Sequence, residues 1–267
     1  MDEARFIAAH CIIVTSFVMK LFRIVFSIYG FLVFLILMLL LFPLIFIASF
    51  FGAVTGGNII YYICRFWANA CFFLWGIWHR NIFEGPKSKR HAVIFVFNHL
   101  SYLDIPIILK TFQTGNIRIL GKEEMARVPI FGFIYKRAVI SVNRNSTSAR
   151  AGSVKKLKRM LEKNISVVMA PEGTFNMSNR PLSSFYSGAF KVALETNTPI
   201  QPVLFLDAYD RLHHSSVFSF NPGRSRSVFL PEITLEKYSA NDVDALKTEV
   251  YTTMESALIR YKASWIK

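Results

Sequence analysis

A histidine, a hydroxyl and a carboxylate stand close together in Asn98-His99-Leu100-Ser101-Tyr102-Leu103-Asp104. An imidazole held at one nitrogen by a carboxylate keeps its other nitrogen free as a base. His99 and Asp104 are five positions apart, which on a continuous helix puts them on different faces. The pair works together only if the segment between them folds back. The preceding run Ala92-Val93-Ile94-Phe95-Val96-Phe97 reads as a buried strand. The pair therefore sits where a core strand ends, a favoured place for chemistry in open α/β sheets. Ile105-Pro106-Ile107-Ile108-Leu109 then reads as the start of a helix, with Asp104 as its N-cap and Pro106 in its first turn. Asp104 thus has two readings, helix cap or partner of His99.

A second loop repeats the logic. Ile165–Ala170 reads as a core strand that ends at Pro171-Glu172-Gly173-Thr174: an acid, a glycine and a hydroxyl. Glycine there permits positive φ or close backbone approach.

The elements that must position these loops alternate along the chain. Short strands are expected at 117–120, 139–142, 200–206 and, as an edge, 228–230. Helices are expected at 148–163, 188–195 and 242–261. Such alternation implies an α/β fold, a mostly parallel mixed sheet covered by helices. The N-terminal part differs. The 267 residues are 53% hydrophobic, with mean hydropathy +0.37, and between Ile24 and Cys64 no residue is charged. The run from Ile24 to Phe51 exceeds the ~20 apolar residues that span a bilayer, and Pro43 is a candidate kink. A turn at Gly52–Asn58 leads to a second apolar segment, Ile59–Trp78. This one carries Tyr61, Tyr62, Trp67, Trp75, Trp78 and Arg65. Interfacial aromatics and a costly cation suit a segment that returns across the membrane or lies along it. The expected organisation is a membrane-binding helical hairpin over 1–78 and an α/β domain over 79–267.

The net charge is +14, concentrated between Arg80 and Asn164, where 17 Lys and Arg face 5 Asp and Glu. A basic surface suits nucleic acid, anionic headgroups, or a phosphorylated or acidic partner. The adjoining apolar segment favours lipid, and no basic-aromatic nucleic-acid module is recognisable. Lys20 and Arg23 before the hairpin, and Arg80, Lys87, Lys89 and Arg90 after it, put both flanks on the cytoplasmic side. Cys11, Cys64 and Cys71 form no C-x-x-C pair and the histidines have no metal-ligand spacing. Gly115 to Gly121-Lys122 has five intervening residues and then Glu123, so it is not a P-loop.

Taken together, Asn98-His99-x-Ser101-x-x-Asp104 and Glu172-Gly173-Thr174 resemble the glycerolipid acyltransferases, above all the bacterial 1-acylglycerol-3-phosphate (lysophosphatidic acid) acyltransferases. Two more blocks agree: Gly121-Lys122-x-x-Met125 with Pro129, Gly132 and Arg144, and Pro199-Ile200-x-Pro202-Val203. The likeness runs from about Ala92 to Leu206. It implies that His99 is the general base for the acceptor hydroxyl, that Asp104 orients it, and that no acyl-enzyme forms. By the same resemblance Asn98, Ser101, Lys122, Arg144, Glu172, Gly173 and Thr174 serve the substrates, Lys122 and Arg144 as phosphate contacts. No metal or resident cofactor is implied; acyl-CoA or acyl carrier protein is a co-substrate. The partners implied are a lysophospholipid acceptor, an acyl thioester donor and membrane lipids, at the cytoplasmic face of a cell inner membrane. The sequence also lacks a G-x-S-x-G elbow.

The chain departs from the family pattern in places. Phe175 stands where arginine usually follows Glu-Gly-Thr. Tyr186 and Ser187 stand where lysine is frequent before Gly188-Ala189-Phe190. Ala138 and Asn143 replace the usual Gly and Asp. These changes leave acyl transfer intact but open the acceptor to another lysophospholipid or a lyso-aminolipid. A non-catalytic membrane scaffold has no need of His99 and Asp104.

Overall fold

Seven strands form one sheet in the order β1-β7-β6-β2-β5-β3-β4 in the computed structural model, which describes residues 3–85, 91–143 and 147–267. The strands are β1 (Ile77–Phe83), β2 (Ile94–Phe97), β3 (Ile117–Lys122), β4 (Val139–Val142), β5 (Ser166–Met169), β6 (Ile200–Phe205) and β7 (Gly223–Phe229). From β6 to β4 all pairings are parallel; β7 runs antiparallel to β6, and β1 is parallel to β7. The C-terminal ends of β2, β3, β4, β5 and β6 therefore share one edge, and the loops at 98–104 and 171–174 leave from it.

The strand cores are apolar on both faces because both faces are covered. Ile94 and Val96 of β2 pack with α5 (Thr147–Glu162), α6 (Gly188–Thr196) and α8 (Val243–Arg260) through Leu157, Phe190 and Val250. Phe95 and Phe97 point the other way, into a cluster with α3 (Asp104–Thr111) and α2 (Gly57–Leu74) through Ile107, Ile108, Trp67 and Phe72. The period-2 alternation of side chains along one strand feeds two separate cores.

The N-terminal segment is the main departure from expectation. The first helix, α1 (Glu3–Ala48), passes through Pro43 unbroken. A short elbow at 49–56 then turns the chain back into α2. Against α2 and the domain, α1 packs through Met38, Ile45 and Ala48, which cluster with Ile60 and with Ile134 and Ala138 of α4 (Phe131–Ala138). In α2 itself, Tyr61, Ala68, Cys71 and Phe72 are buried within the sheet's own core. Arg65, costly in lipid, donates to the carbonyls of Thr114 and Gly115. The helix covers one face of the sheet. The boundary expected at residue 78 falls inside β1, the true edge strand, and β7 lies within the sheet instead of at its edge. Apart from Lys20 and Arg23, what remains outward on α1, the elbow and α2 is mostly apolar: Leu40, Ile47, Phe50, Tyr62 and Phe73 are all exposed.

Candidate active site

The segment after β2 folds back as the chemistry requires. His99 Nδ1 lies 2.7 Å from Asp104 Oδ2. That oxygen also accepts the backbone N–H groups of Leu100 at 2.9 Å and Ser101 at 3.0 Å. Three donors on one oxygen hold the loop as a ring closed by the carboxylate. Asp104 is buried, while the His99 side chain keeps 24% of its surface open. An acceptor at Nδ1 fixes the tautomer with the proton on that nitrogen and leaves Nε2 as the basic one.

Asp104 is the first residue of α3, not its N-cap. Leu103 occupies that position without a side-chain cap bond. The Asp104 carboxylate turns back to the preceding residues instead of forward to the helix. Ser101 Oγ accepts the Leu103 N–H at 3.0 Å and donates to the Leu212 carbonyl at 2.6 Å.

The second loop meets the first through Glu172, which is 2% exposed. One carboxylate oxygen accepts the His99 N–H at 2.9 Å and the other accepts the Ser183 N–H at 2.7 Å. Burial pushes its pKa up to about 7, against the pull of the two N–H donors and of His99. Gly173 takes φ of +72°, a left-handed turn that glycine adopts without strain. Thr174 is exposed. Asn176 returns the tie, its N–H donating to the His99 carbonyl at 2.8 Å.

Not every residue grouped with the substrate site faces open space. Asn98 is 1% exposed; its amide accepts from Phe205 N at 2.8 Å and donates to Phe205 O at 3.1 Å. It clamps the end of β2 to the end of β6. Ser101 is equally buried and tied to Leu212. Both hold the loop's shape. Lys122 is exposed at the end of β3 on the same edge. It lies two strands over from β2, roughly 10 Å at the usual strand spacing. Arg144 lies outside the described residues.

Sequence reading missed the surroundings of His99. The Phe175 ring packs edge-on against His99 with centroids 4.5 Å apart. Tyr102 stands edge-on to Phe175 at 5.0 Å, and His214 is the next ring at 6.3 Å. Leu212 contributes only its carbonyl, and Ser183 meets Glu172 through its backbone N–H and its side chain, far from any local spacing.

A buried carboxylate holding a partly open imidazole, at the shared strand edge of a helix-covered sheet, has the geometry by which a histidine can act as a general base. Residues 81–206 match the model of the Acyltransferase family. Over 179 residues it is 34% identical to an uncharacterized acyltransferase of Schizosaccharomyces pombe, covering 66% of this chain and 63% of that one. A 1-acyl-sn-glycerol-3-phosphate acyltransferase of Cocos nucifera is 32% identical over 133 residues, 49% of this chain and 42% of the relative. The chain thus spans less than two thirds of these relatives. The crystal structure of PlsC, the 1-acyl-sn-glycerophosphate acyltransferase of Thermotoga maritima, matches with a TM-score of 0.73. That match covers 93% of this chain and 99% of PlsC at 20% identity, and it establishes a shared fold, hairpin included.

Proposed function

We propose that this protein is a membrane-associated O-acyltransferase that moves an acyl chain from an acyl thioester to the free hydroxyl of lysophosphatidic acid, giving phosphatidic acid. The observation that carries the reading is the 2.7 Å contact between His99 Nδ1 and the buried Asp104 carboxylate. His99 Nε2 takes the acceptor's hydroxyl proton as the oxygen attacks the thioester carbonyl. The tetrahedral intermediate collapses, the C–S bond breaks, and the imidazolium returns its proton to the leaving thiolate. Asp104 offsets the positive charge that His99 carries between those two steps. The donor is acyl-CoA or acyl carrier protein, and no resident cofactor takes part. Lys122, with Arg144, serves the acceptor's phosphate; a charge-assisted contact of this kind is strong and directional.

The outward apolar side of α1 and α2 supports attachment to a membrane. Packing of α2 on the sheet supports a hairpin that lies along one leaflet, and the basic flanks at Lys20, Arg23 and Arg80 support a domain on the cytoplasmic face of a cell inner membrane. A second reading, an acceptor with another headgroup, is favoured by Phe175 against His99. The deciding experiment presents lysophosphatidic acid, other lysophospholipids and a lyso-aminolipid to the purified protein, with acyl-CoA and with acyl carrier protein as donors. Preference for lysophosphatidic acid supports the first reading; preference for a larger headgroup replaces it with the second. Absence of transfer to every acceptor with either donor overturns both.

A further inference from the structure

Beside the N-terminal ends of β3 and β4, away from the strand ends that carry His99, the elbow between α1 and α2 borders a basic cleft of about 330 Å³. Ser49, Gly52, Ala53 and Gly57 form its hairpin side, and Lys136 and Arg137 at the end of α4 form the other. Among the described residues no acidic side chain lines it, and neither cation has an ion-pair partner. We propose that this cleft binds the phosphate of an anionic glycerophospholipid in the supporting membrane, a lipid distinct from the acyl acceptor.

The cleft is prebuilt. Arg118, 3% exposed, reaches behind the elbow and donates to the carbonyls of Val54 at 3.1 Å and Ala53 at 3.4 Å. Its guanidinium passes so close that a Cβ on Gly57 would stand 2.5 Å from it. A side chain there would push the Arg118 guanidinium off the elbow carbonyls, so glycine lets the elbow keep this shape without a ligand. Arg137 is also fixed. Its guanidinium lies over the Phe133 ring at 3.4 Å and donates to the Phe133 carbonyl at 3.1 Å. The fork's remaining N–H groups are left for an anion. At Gly52, φ is +79° and the space beside it is open.

A ladder of rings connects this cleft to the outside. Phe133 stacks on Phe46 at 5.8 Å, and Phe46 meets Phe50 edge-on at 5.3 Å. Phe50 is 74% exposed and Phe51 and Ile47 stand out beside it. Exposed aromatic side chains contiguous with a fixed arginine suit the boundary between acyl chains and headgroups, where a soluble anion would have no use for the apolar rim. Charge complementarity then selects an anionic lipid.

The inference rests on the membrane-facing reading of the hairpin and not on the acyl-transfer chemistry. The test is flotation of the full chain with phosphatidylcholine vesicles, with and without phosphatidylglycerol. Wild type should prefer the anionic vesicles. Lys136→Gln/Arg137→Gln should lose roughly tenfold or more of that preference, the scale for two basic groups near an anionic surface. The exposed-residue variant Lys136→Gln, which disturbs no packing, should lose about threefold. Lys155→Gln/Lys156→Gln on the exposed side of α5 should lose little, and glycerol 1-phosphate should not compete. Equal losses for the two double variants, or no loss for Lys136→Gln, would overturn the site. Competition by glycerol 1-phosphate would overturn its lipid source. If wild type binds neither vesicle, the membrane-facing reading itself falls. Turnover on detergent-dispersed acceptor is expected to be unchanged in all these variants, which keeps this result separate from the catalytic one.

Discussion

Two buried carboxylates sit at the same sheet edge and do different things with the same means. Asp104 gathers three donors on one oxygen, and one of them is an imidazole. Glu172 takes a backbone N–H on each of its two oxygens, from His99 and from Ser183, whose side chain also bonds it. Each shapes a loop; only Asp104 also touches the imidazole of His99. Polar groups buried together hold backbone geometry at low cost when every donor finds an acceptor. Chemistry arises where one of the donors is a titratable group open to solvent on its other side.

The sharpest way to break this contrast is Asp104→Asn. Its amide oxygen can keep all three acceptor contacts, and its NH₂ replaces Oδ1, an atom buried without a partner. The fold should persist while turnover falls by ~10²–10⁴-fold, because the charge that stabilises the imidazolium is gone. Turnover near wild type in a folded Asp104→Asn protein would reduce Asp104 to a loop former like Glu172. Glu172→Gln should behave the opposite way. Its new NH₂ must face a backbone N–H, leaving a buried donor against a donor at about 1–3 kcal/mol. A lower Tm with a modest, roughly tenfold loss of turnover is expected, measured by thermal melts and kinetics on the same preparation.

Phe175→Arg tests whether the ring beside His99 sets the acceptor. It should shift preference toward lysophosphatidic acid over lysolipids lacking a phosphate monoester by about tenfold, read as kcat/KM for each acceptor. An unchanged ratio would mean that Phe175 only packs. The smallest effect is the pH dependence of stability. Glu172 has a folded-state pKa raised to about 7 by burial, so its carboxyl binds a proton more tightly folded than unfolded. Its contribution is fully present below its unfolded pKa, near ~4.3, and is lost as pH rises through 7. Wild-type Tm should therefore fall between about pH 5 and 8, and the fall should be shallower in Glu172→Gln. Equal slopes would remove Glu172 as its source.

Local patterns carried much of this into the sequence. Short apolar runs ending at His99 and Glu172, and the helix-strand alternation from β2 to β6, are visible because the central strands β2, β5 and β6 are buried on both faces. Long-range ties are not visible. Asn98 looks like a ligand contact by type and is a clamp on Phe205; Ser101 looks the same and is held at Leu212. Neither partner lies within reach of any local spacing. The polar alternation of β1, with Trp78, His79, Arg80 and Asn81, was masked by the apolar segment before it. Apolar content also could not separate lipid from sheet as the environment of α2, since both bury the same side chains. The Asp104 cap reading failed because helix position alone does not show which way a side chain turns.

The central claim is that His99, held by Asp104, is the base for acyl transfer to a lysolipid hydroxyl. The most direct measurement is the turnover of purified His99→Ala beside wild type, with acyl thioester and lysophosphatidic acid, on protein shown to be folded by circular dichroism and thermal melting. The account predicts an intact fold, since the ring is half-open and packs mainly on Phe175 and Phe97. It also predicts a loss of at least ~10²–10⁴-fold in kcat. A folded His99→Ala protein that still transfers the acyl chain at close to the wild-type rate would contradict it.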